Sequence, residues 1–182
     1  MIRENGHRGQ SVLVSARLIL EPLVPDHTEG LVAMFADPET SRYLPVDFSD
    51  EQAARNLVAS RLAYDGPPEL GYWTWQLDGQ VVGLGHLQPA RGLPVELIET
   101  GWCIRPDLWR RGLATEAIGT LLDHALSDLR LPAVWALVGT GNVPSVAFAR
   151  SLGFLCVGEQ QVDGEAAQVF VKLPASTMAR AG

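Results

Sequence analysis

Residues 102–117, WCIRPDLWRRGLATEA, decide how this chain is read. The stretch opens with alternating apolar residues and turns at Arg105-Pro106-Asp107. It then passes through Arg110, Arg111 and Gly112 and takes up helical spacing along Leu113, Ala117, Leu121 and Ala125. A strand that feeds through a tight, basic, glycine-containing turn into a helix aims several backbone N–H groups at one point, together with the positive end of the helix dipole. Such a point holds a phosphate or a pyrophosphate. Gly112 lets the backbone come closest because it has no Cβ, and Arg110 and Arg111 add charge beside it. A solvated basic turn can carry the same residues, and at this level both alternatives stay open.

Composition narrows the setting. A chain of 182 residues, 47% hydrophobic and 19% charged, is expected to form one domain with a core of its own. Its net charge of −7 argues against a nucleic-acid partner, and no basic stripe runs outside the turn. In so acidic a chain Arg105, Arg110 and Arg111 form a local exception that calls for a reason. Cys103 and Cys156 are both flanked by apolar residues and read as buried thiols of a reducing compartment. No metal-ligand spacing occurs among Cys, His, Asp and Glu, so no metal is expected. Without a signal-peptide pattern or a long apolar run, the expected location is the cytoplasm, with no membrane partner.

Along the chain, residues 1–14 begin polar and irregular and read as a flexible leader, with a second tail at 174–182. Residues 17–23 have a strand-like apolar run closed by Pro22. A helix pattern runs from Asp26 through Leu31, Val32 and Phe35 and stops near Asp37-Pro38. Ser49-Asp50-Glu51-Gln52 has the form of a capping box, with Ser49 at the N-cap, and opens a helix through Leu57 and Leu62. Residues 72–77 and 80–87 flank Asp78-Gly79, the signature of a hairpin. Residues 96–104 give a further strand. Then follow a helix over 112–129, a strand over 133–138, a helix over 142–152 stopped by Gly153, and strands over 154–158 and 168–173 around a turn at Asp163-Gly164. The order predicts an α+β fold: a mixed, mostly antiparallel sheet with flanking helices. A doubly wound sheet does not fit, because three successive strands joined by short turns cannot be parallel.

This order, the segment WRRGLATEA (109–117), and Asn142-Val143-Pro144-Ser145 followed by Leu152-Gly153-Phe154 resemble the GNAT N-acetyltransferases. Within them the chain is similar to the RimJ/RimL-type group that acetylates the N-terminal amines of ribosomal proteins. The likeness spans about residues 15–173 and rests on two separated motifs in the right order. The family's pyrophosphate loop has the form Q/R-x-x-G-x-G/A. Here Trp109 takes the first place, and Gly112 and Ala114 hold the required positions.

The resemblance implies a single acetyltransferase domain with a V-shaped splay between its fourth and fifth strands. It also implies acetyl-CoA as acetyl donor, with CoA as product, and an amine acceptor, in a monomer or homodimer. The pyrophosphate would lie on the backbone from Arg110 and Arg111 through Gly112, Leu113, Ala114 and Thr115, beside Trp109. The pantetheine arm would pair with the strand edge at Trp102, Cys103 and Ile104, where a backbone N–H near Cys103 or Ile104 would face the thioester oxygen. Asn142 is implied near the pantetheine or acceptor channel, or else it is only a helix cap. Ser145 is implied as the acid for the leaving thiolate, since the Tyr that many relatives use later on this helix is Ala149 here. Glu99 matches the glutamate that starts the corresponding strand, and a carboxylate there can take the proton an amine must lose; Glu96 is its rival. His86, Tyr43, Trp73 and Trp75 either line an acceptor pocket or belong to the core.

The alternatives are acetylation of a small amine, such as an aminoglycoside, an amino acid or a peptide antibiotic, and a CoA-binding sensor without turnover. An ATP site is disfavoured because the sequence has no G-x-x-x-x-G-K-[ST] loop.

Overall fold

Two aromatic residues and two glycines set the middle of the sheet. Trp73 and Trp75 lie on β3 (Gly71–Leu77) with no solvent exposure. β4 (Gln80–Pro89) passes Trp75 with Gly83 and Gly85. A Cβ on Gly83 would stand 2.2 Å from the Trp75 ring, and one on Gly85 would stand 3.1 Å from it. The missing side chains are the space the indole fills. The turn between these strands is the expected hairpin, with Asp78 at φ 51° and Gly79 at φ 75°.

The computed structural model describes residues 9–44, 48, 50–91, 93, 97–162 and 164–175. Eight strands form one sheet in the order β1-β2-β3-β4-β5-β6-β8-β7. The remaining strands are β1 (Leu13–Val14), β2 (Ile19–Pro22), β5 (Ile98–Ile104), β6 (Val134–Gly139), β7 (Leu155–Val162) and β8 (Glu165–Lys172). β1 with β2, β2 with β3, β6 with β8 and β7 with β8 pair antiparallel. β5 and β6 run parallel and pair at one position, Glu99 opposite Trp135. The helices are α1 (Thr28–Phe35), α2 (Pro38–Ser41), α3 (Glu51–Leu62), α4 (Leu113–Asp123) and α5 (Val143–Ser151). The expected α+β architecture, a mixed and mostly antiparallel sheet with helices, is what the chain adopts.

The chain divides into two compact units: Met1–His86 with Trp102–Thr120, and Leu87–Gly101 with Leu121–Gly182. The first has a core of Leu23, Leu31, Val32, Met34, Phe35, Ala54, Val58, Tyr72 and Leu84. The second buries Leu121, Ala125, Val134, Ala136, Ala149, Phe154 and Phe170, among others.

Several expectations need correction. α3 is capped by Asp50, whose Oδ1 accepts from the Gln52 N–H at 2.9 Å. Ser49, expected at that position, lies outside the described residues, and the Gln52 side chain donates to Asn56 rather than closing a box. The short α2 and β1 were not expected. Asp37 does not end a helix for good; its Oδ1 accepts from Glu39 N–H at 2.9 Å and starts α2. Cys156 is exposed, because β7 is an edge strand whose residues are exposed on both faces over Leu155–Glu159. Of the last turn, Gly164 is described and Asp163 lies outside the described residues.

Candidate functional site

β5 runs out at Ile104, and a single 3₁₀ turn, Pro106–Leu108, carries the chain to the basic loop. Arg110 has φ 59° and Gly112 φ 76°, both left-handed. For Gly112 this conformation is free; for Arg110 it is strained, which a surface loop tolerates only when its surroundings hold it. Left-handed residues set among ordinary ones turn successive N–H groups toward one concavity, an anion nest. The first bond of α4 runs from the Glu116 N–H to the Gly112 carbonyl at 3.0 Å. The N–H groups of Leu113, Ala114 and Thr115 therefore have no carbonyl in their own helix to donate to. Arg110, Arg111 and Gly112 are exposed, while Leu113 is buried and fixes the helix start in the core. These features fit a phosphate-bearing ligand.

Sequence reading missed Arg17 and Glu116. In the first turn of α4 Glu116 accepts from Ser15 Oγ at 2.6 Å, from the Arg17 N–H at 2.5 Å and from Arg17 Nε at 2.7 Å. Burial alone would raise its carboxyl, but the hydrogen bonds from Ser15 and Arg17 outweigh this and hold it below the usual carboxylate range. Arg17 also donates from Nη1 to the Arg111 carbonyl at 3.0 Å. Only a (i, i+5)-sized neighbourhood is visible in sequence patterns, and these partners lie 94 to 101 residues apart.

On β5 the backbone alternates. The Cys103 carbonyl stands 2.9 Å from where a Cβ on Gly83 would lie, and the Arg105 N–H donates to Val82 at 2.9 Å. Cys103 and Arg105 thus turn their backbone toward β4, and Trp102 and Ile104 turn theirs away. Of the two expected donors, the Ile104 N–H is the one on the edge remote from β4. The exposed Trp109 folds back and donates from Nε1 to the Ile104 carbonyl at 3.0 Å. Cys103, expected to be buried, is only half-buried as a residue, but its thiol is enclosed against Met34, and that burial pushes it up to about 12, so it stays neutral.

Glu99, Asn142 and Ser145 belong to the second unit. Glu99 is 9% exposed, and its Oε1 accepts from Gln88 Nε2 at 2.9 Å. Gln88 is another residue that sequence reading passed over; it lies on β4, at a separation of 11 residues from Glu99. Glu96 lies outside the described residues. Asn142 is the N-cap of α5, its Oδ1 accepting from the Ser145 N–H at 3.2 Å. This leaves the Asn142 amide group directed by the cap and places Ser145 in the first turn, half-buried. Ala149 is fully buried, so its position supplies no polar group.

Of the aromatic candidates, Trp73 and Trp75 are core residues; the Trp73 Nε1 donates to the Ser11 carbonyl at 2.9 Å. Tyr43 is exposed, with the Arg42 guanidinium 5.5 Å from its ring centroid. His86 packs against Tyr72, ring centroids 5.3 Å apart, and Arg61 lies over the other partner of that pair, 4.8 Å from the Tyr72 centroid. Among the described residues no group of His, Cys, Asp and Glu could hold a metal, and no helix is long and apolar enough to cross a membrane.

Residues 17–155 match the acetyltransferase (GNAT) domain family. The chain belongs to the GNAT acetyltransferases. The match includes the basic loop, Glu99 and the start of α5. It is 25% identical over 148 residues to the uncharacterized N-acetyltransferase p20 of Bacillus licheniformis, covering 78% of this chain and 81% of that one. It is also 25% identical over 154 residues to the FsC-acetyl coenzyme A-N(2)-transacetylase of Aspergillus fumigatus, covering 80% and 66%. Among solved structures, Mycobacterium smegmatis RimJ in complex with CoA-disulfide shares the fold at TM-score 0.73, with 16% identity over 92% of this chain and 89% of that one. The enzyme class expected from the sequence, an N-acetyltransferase, agrees with these relatives.

Proposed function

We propose that this GNAT domain transfers the acetyl group of acetyl-CoA to a primary amine, a protein N-terminus or a small-molecule amine, by direct attack. The observation that carries this reading is the exposed loop at Arg110–Gly112, two left-handed residues leading into three first-turn N–H groups that α4 itself does not use. Bound acetyl-CoA supplies an acetyl thioester. Arg110, Arg111 and the N–H groups of Gly112, Leu113, Ala114 and Thr115 hold its phosphates, with Trp109 beside them. The outward-facing backbone of Trp102 pairs with the pantetheine amides, while Cys103, between Trp102 and Ile104, turns toward β4. The Ile104 N–H stabilises the negative charge that develops on the carbonyl oxygen.

Glu99 takes the proton that the attacking ammonium group must lose, since such a group ordinarily titrates near pH ~10 and is inert while protonated. As the N–C bond forms the C–S bond breaks; the nitrogen gives up its second proton to water, and the Ser145 hydroxyl, reprotonated from water, or water itself delivers a proton to sulfur. Gln88 orients the Glu99 carboxylate, and Asn142 holds the first turn of α5 that carries Ser145. The relatives support the donor and the acetyl transfer to nitrogen: one is named an acetyl coenzyme A-N(2)-transacetylase.

Glu99→Gln tests the assignment. Affinity for acetyl-CoA should be kept while turnover falls by about 10²–10⁴-fold, the usual worth of a positioned proton acceptor. The residual rate should climb as pH approaches the acceptor's own pKa, where the wild type already has a plateau. A wild-type rate for Glu99→Gln at neutral pH on a verified acceptor would remove Glu99 from the mechanism.

A further inference from the structure

One side chain ties the basic loop to the β1–β2 turn. Arg17 donates from Nε to Glu116 at 2.7 Å and from Nη1 to the Arg111 carbonyl at 3.0 Å. Its Nη2 stands 3.4 Å from where a Cβ on Gly112 would lie. A planar guanidinium can hold a carboxylate and a carbonyl at once; an ammonium group has a single nitrogen and cannot reproduce that span. The peptide between Arg111 and Gly112 is trans, as are all described peptides. In a trans peptide the C=O and the N–H point in opposite directions. Turning the Arg111 carbonyl toward Arg17 therefore turns the Gly112 N–H away from it. With Gly112 held at φ 76°, one contact fixes the orientation of the donor that leads into α4.

We infer that Arg17 is a positioning residue for coenzyme binding, a latch on the Arg111 carbonyl that aims the Gly112 N–H at phosphate. This rests on the reading of the loop as the phosphate site. Arg17 itself touches no phosphate in this role; it acts through the peptide it holds. Its ion pair with Glu116 is half-exposed on the Arg17 side, at 48%, so its contribution to global stability is small. Glu116 remains anchored without the Arg17 side chain, because Ser15 Oγ and the Arg17 N–H still donate to it. Removing the guanidinium thus frees the Arg111 carbonyl while the helix start keeps its own support.

The test is calorimetric titration of the full chain with CoA, alongside thermal melts. Arg17→Ala should bind CoA roughly ten- to a hundredfold more weakly, the worth of one charge-assisted contact. The melting temperature should change by no more than about 2–4 °C. Part of the loss should persist at high salt, where the missing charge is screened, because the aim of the Gly112 N–H is lost as well, and Arg17→Lys, which keeps the charge, should not restore binding. Glu116→Gln, which weakens the other grip on the guanidinium, should reproduce part of the loss, and the double variant should be no worse than Arg17→Ala. Full binding in Arg17→Lys, or a loss that vanishes at high salt, would mean that Arg17 acts only as a charge and would overturn the latch. Wild-type affinity in Arg17→Ala would overturn it as well, with the loop's phosphate role intact. Failure of the wild type to bind CoA would overturn the function itself and the role of Arg17 with it.

Discussion

Replacing Gly112 by valine separates the phosphate loop from the fold that carries it. Gly112 has φ 76°, and a Cβ there would meet only Arg17 Nη2, at 3.4 Å. That distance is ordinary contact with the end of a flexible side chain, so crowding adds little and the left-handed backbone dominates. The strain for an L-residue is roughly 1–3 kcal/mol, with a β-branched side chain at the upper end. Set against a total stability on the order of 5–15 kcal/mol, this leaves a folded protein. At this chain length the melt should fall by about 2–4 °C for each kcal/mol. The strain is relieved if the loop leaves the left-handed region, and that motion swings the Gly112 and Leu113 N–H groups out of the nest. Two charge-assisted donors are then lost, about 3 kcal/mol or more, which is over a hundredfold in affinity. Thermal melts of the free protein and calorimetric titration with CoA measure the two effects separately. A folded Gly112→Val protein that binds CoA like the wild type would remove the loop at Gly112 as a phosphate site. Gly112→Ala, with less strain, should fall between.

Charge at the loop should matter in a different way. Arg110→Ala and Arg111→Ala should each weaken CoA binding roughly ten- to a hundredfold, and more at low salt than at high, as exposed charges do; a salt-independent loss would point to disturbed packing. The two thiols should also separate. Burial holds the Cys103 thiol neutral up to about 12, whereas Cys156 is exposed, so at mildly alkaline pH a thiol reagent should modify Cys156 in the native protein and both cysteines only after denaturation. Rapid labelling of two native thiols would contradict the packing around Cys103. In the sheet, Gly83→Ala would drive a methyl to within 2.2 Å of the Trp75 ring and should lower stability by at least 1–3 kcal/mol, the usual range for overpacking, which a denaturant melt would show.

What could be read from the sequence was what local chemistry controls. Asp78-Gly79 between two β-rich runs gave the hairpin, because that pair is suited to the left-handed turn. Asn142 and Gly153 bracketed α5, and Arg110 to Leu113 marked the loop and the start of α4, since each feature is set by neighbours a few residues away. The misses are long-range or two-sided. Cys156 has apolar neighbours, yet Leu155 and Val157 are themselves 45% and 56% exposed on an edge strand, so flanking residues could not reveal its exposure. Arg17 and Glu116 have ordinary surface identities and meet only across 99 residues. Ser49 and Asp50 are both good caps in adjacent positions, and spacing alone cannot choose between them. Trp73 and Trp75 have the spacing of either a pocket wall or a core; full burial makes them core.

Acetyl transfer to an amine can be observed directly. The direct measurement is to incubate the protein with acetyl-CoA and a panel of N-terminal peptides and small amines, following released CoA thiol and, by mass spectrometry, the acetylated amine. At least one amine should gain a single acetyl group at the rate at which thiol appears. With acetyl-CoA below saturation, Gly112→Val should lower both signals by about a hundredfold or more. Tight binding of CoA with no acetylated product from any amine, at any pH where the protein is folded, would contradict acetyl transfer and leave a coenzyme-binding module in its place.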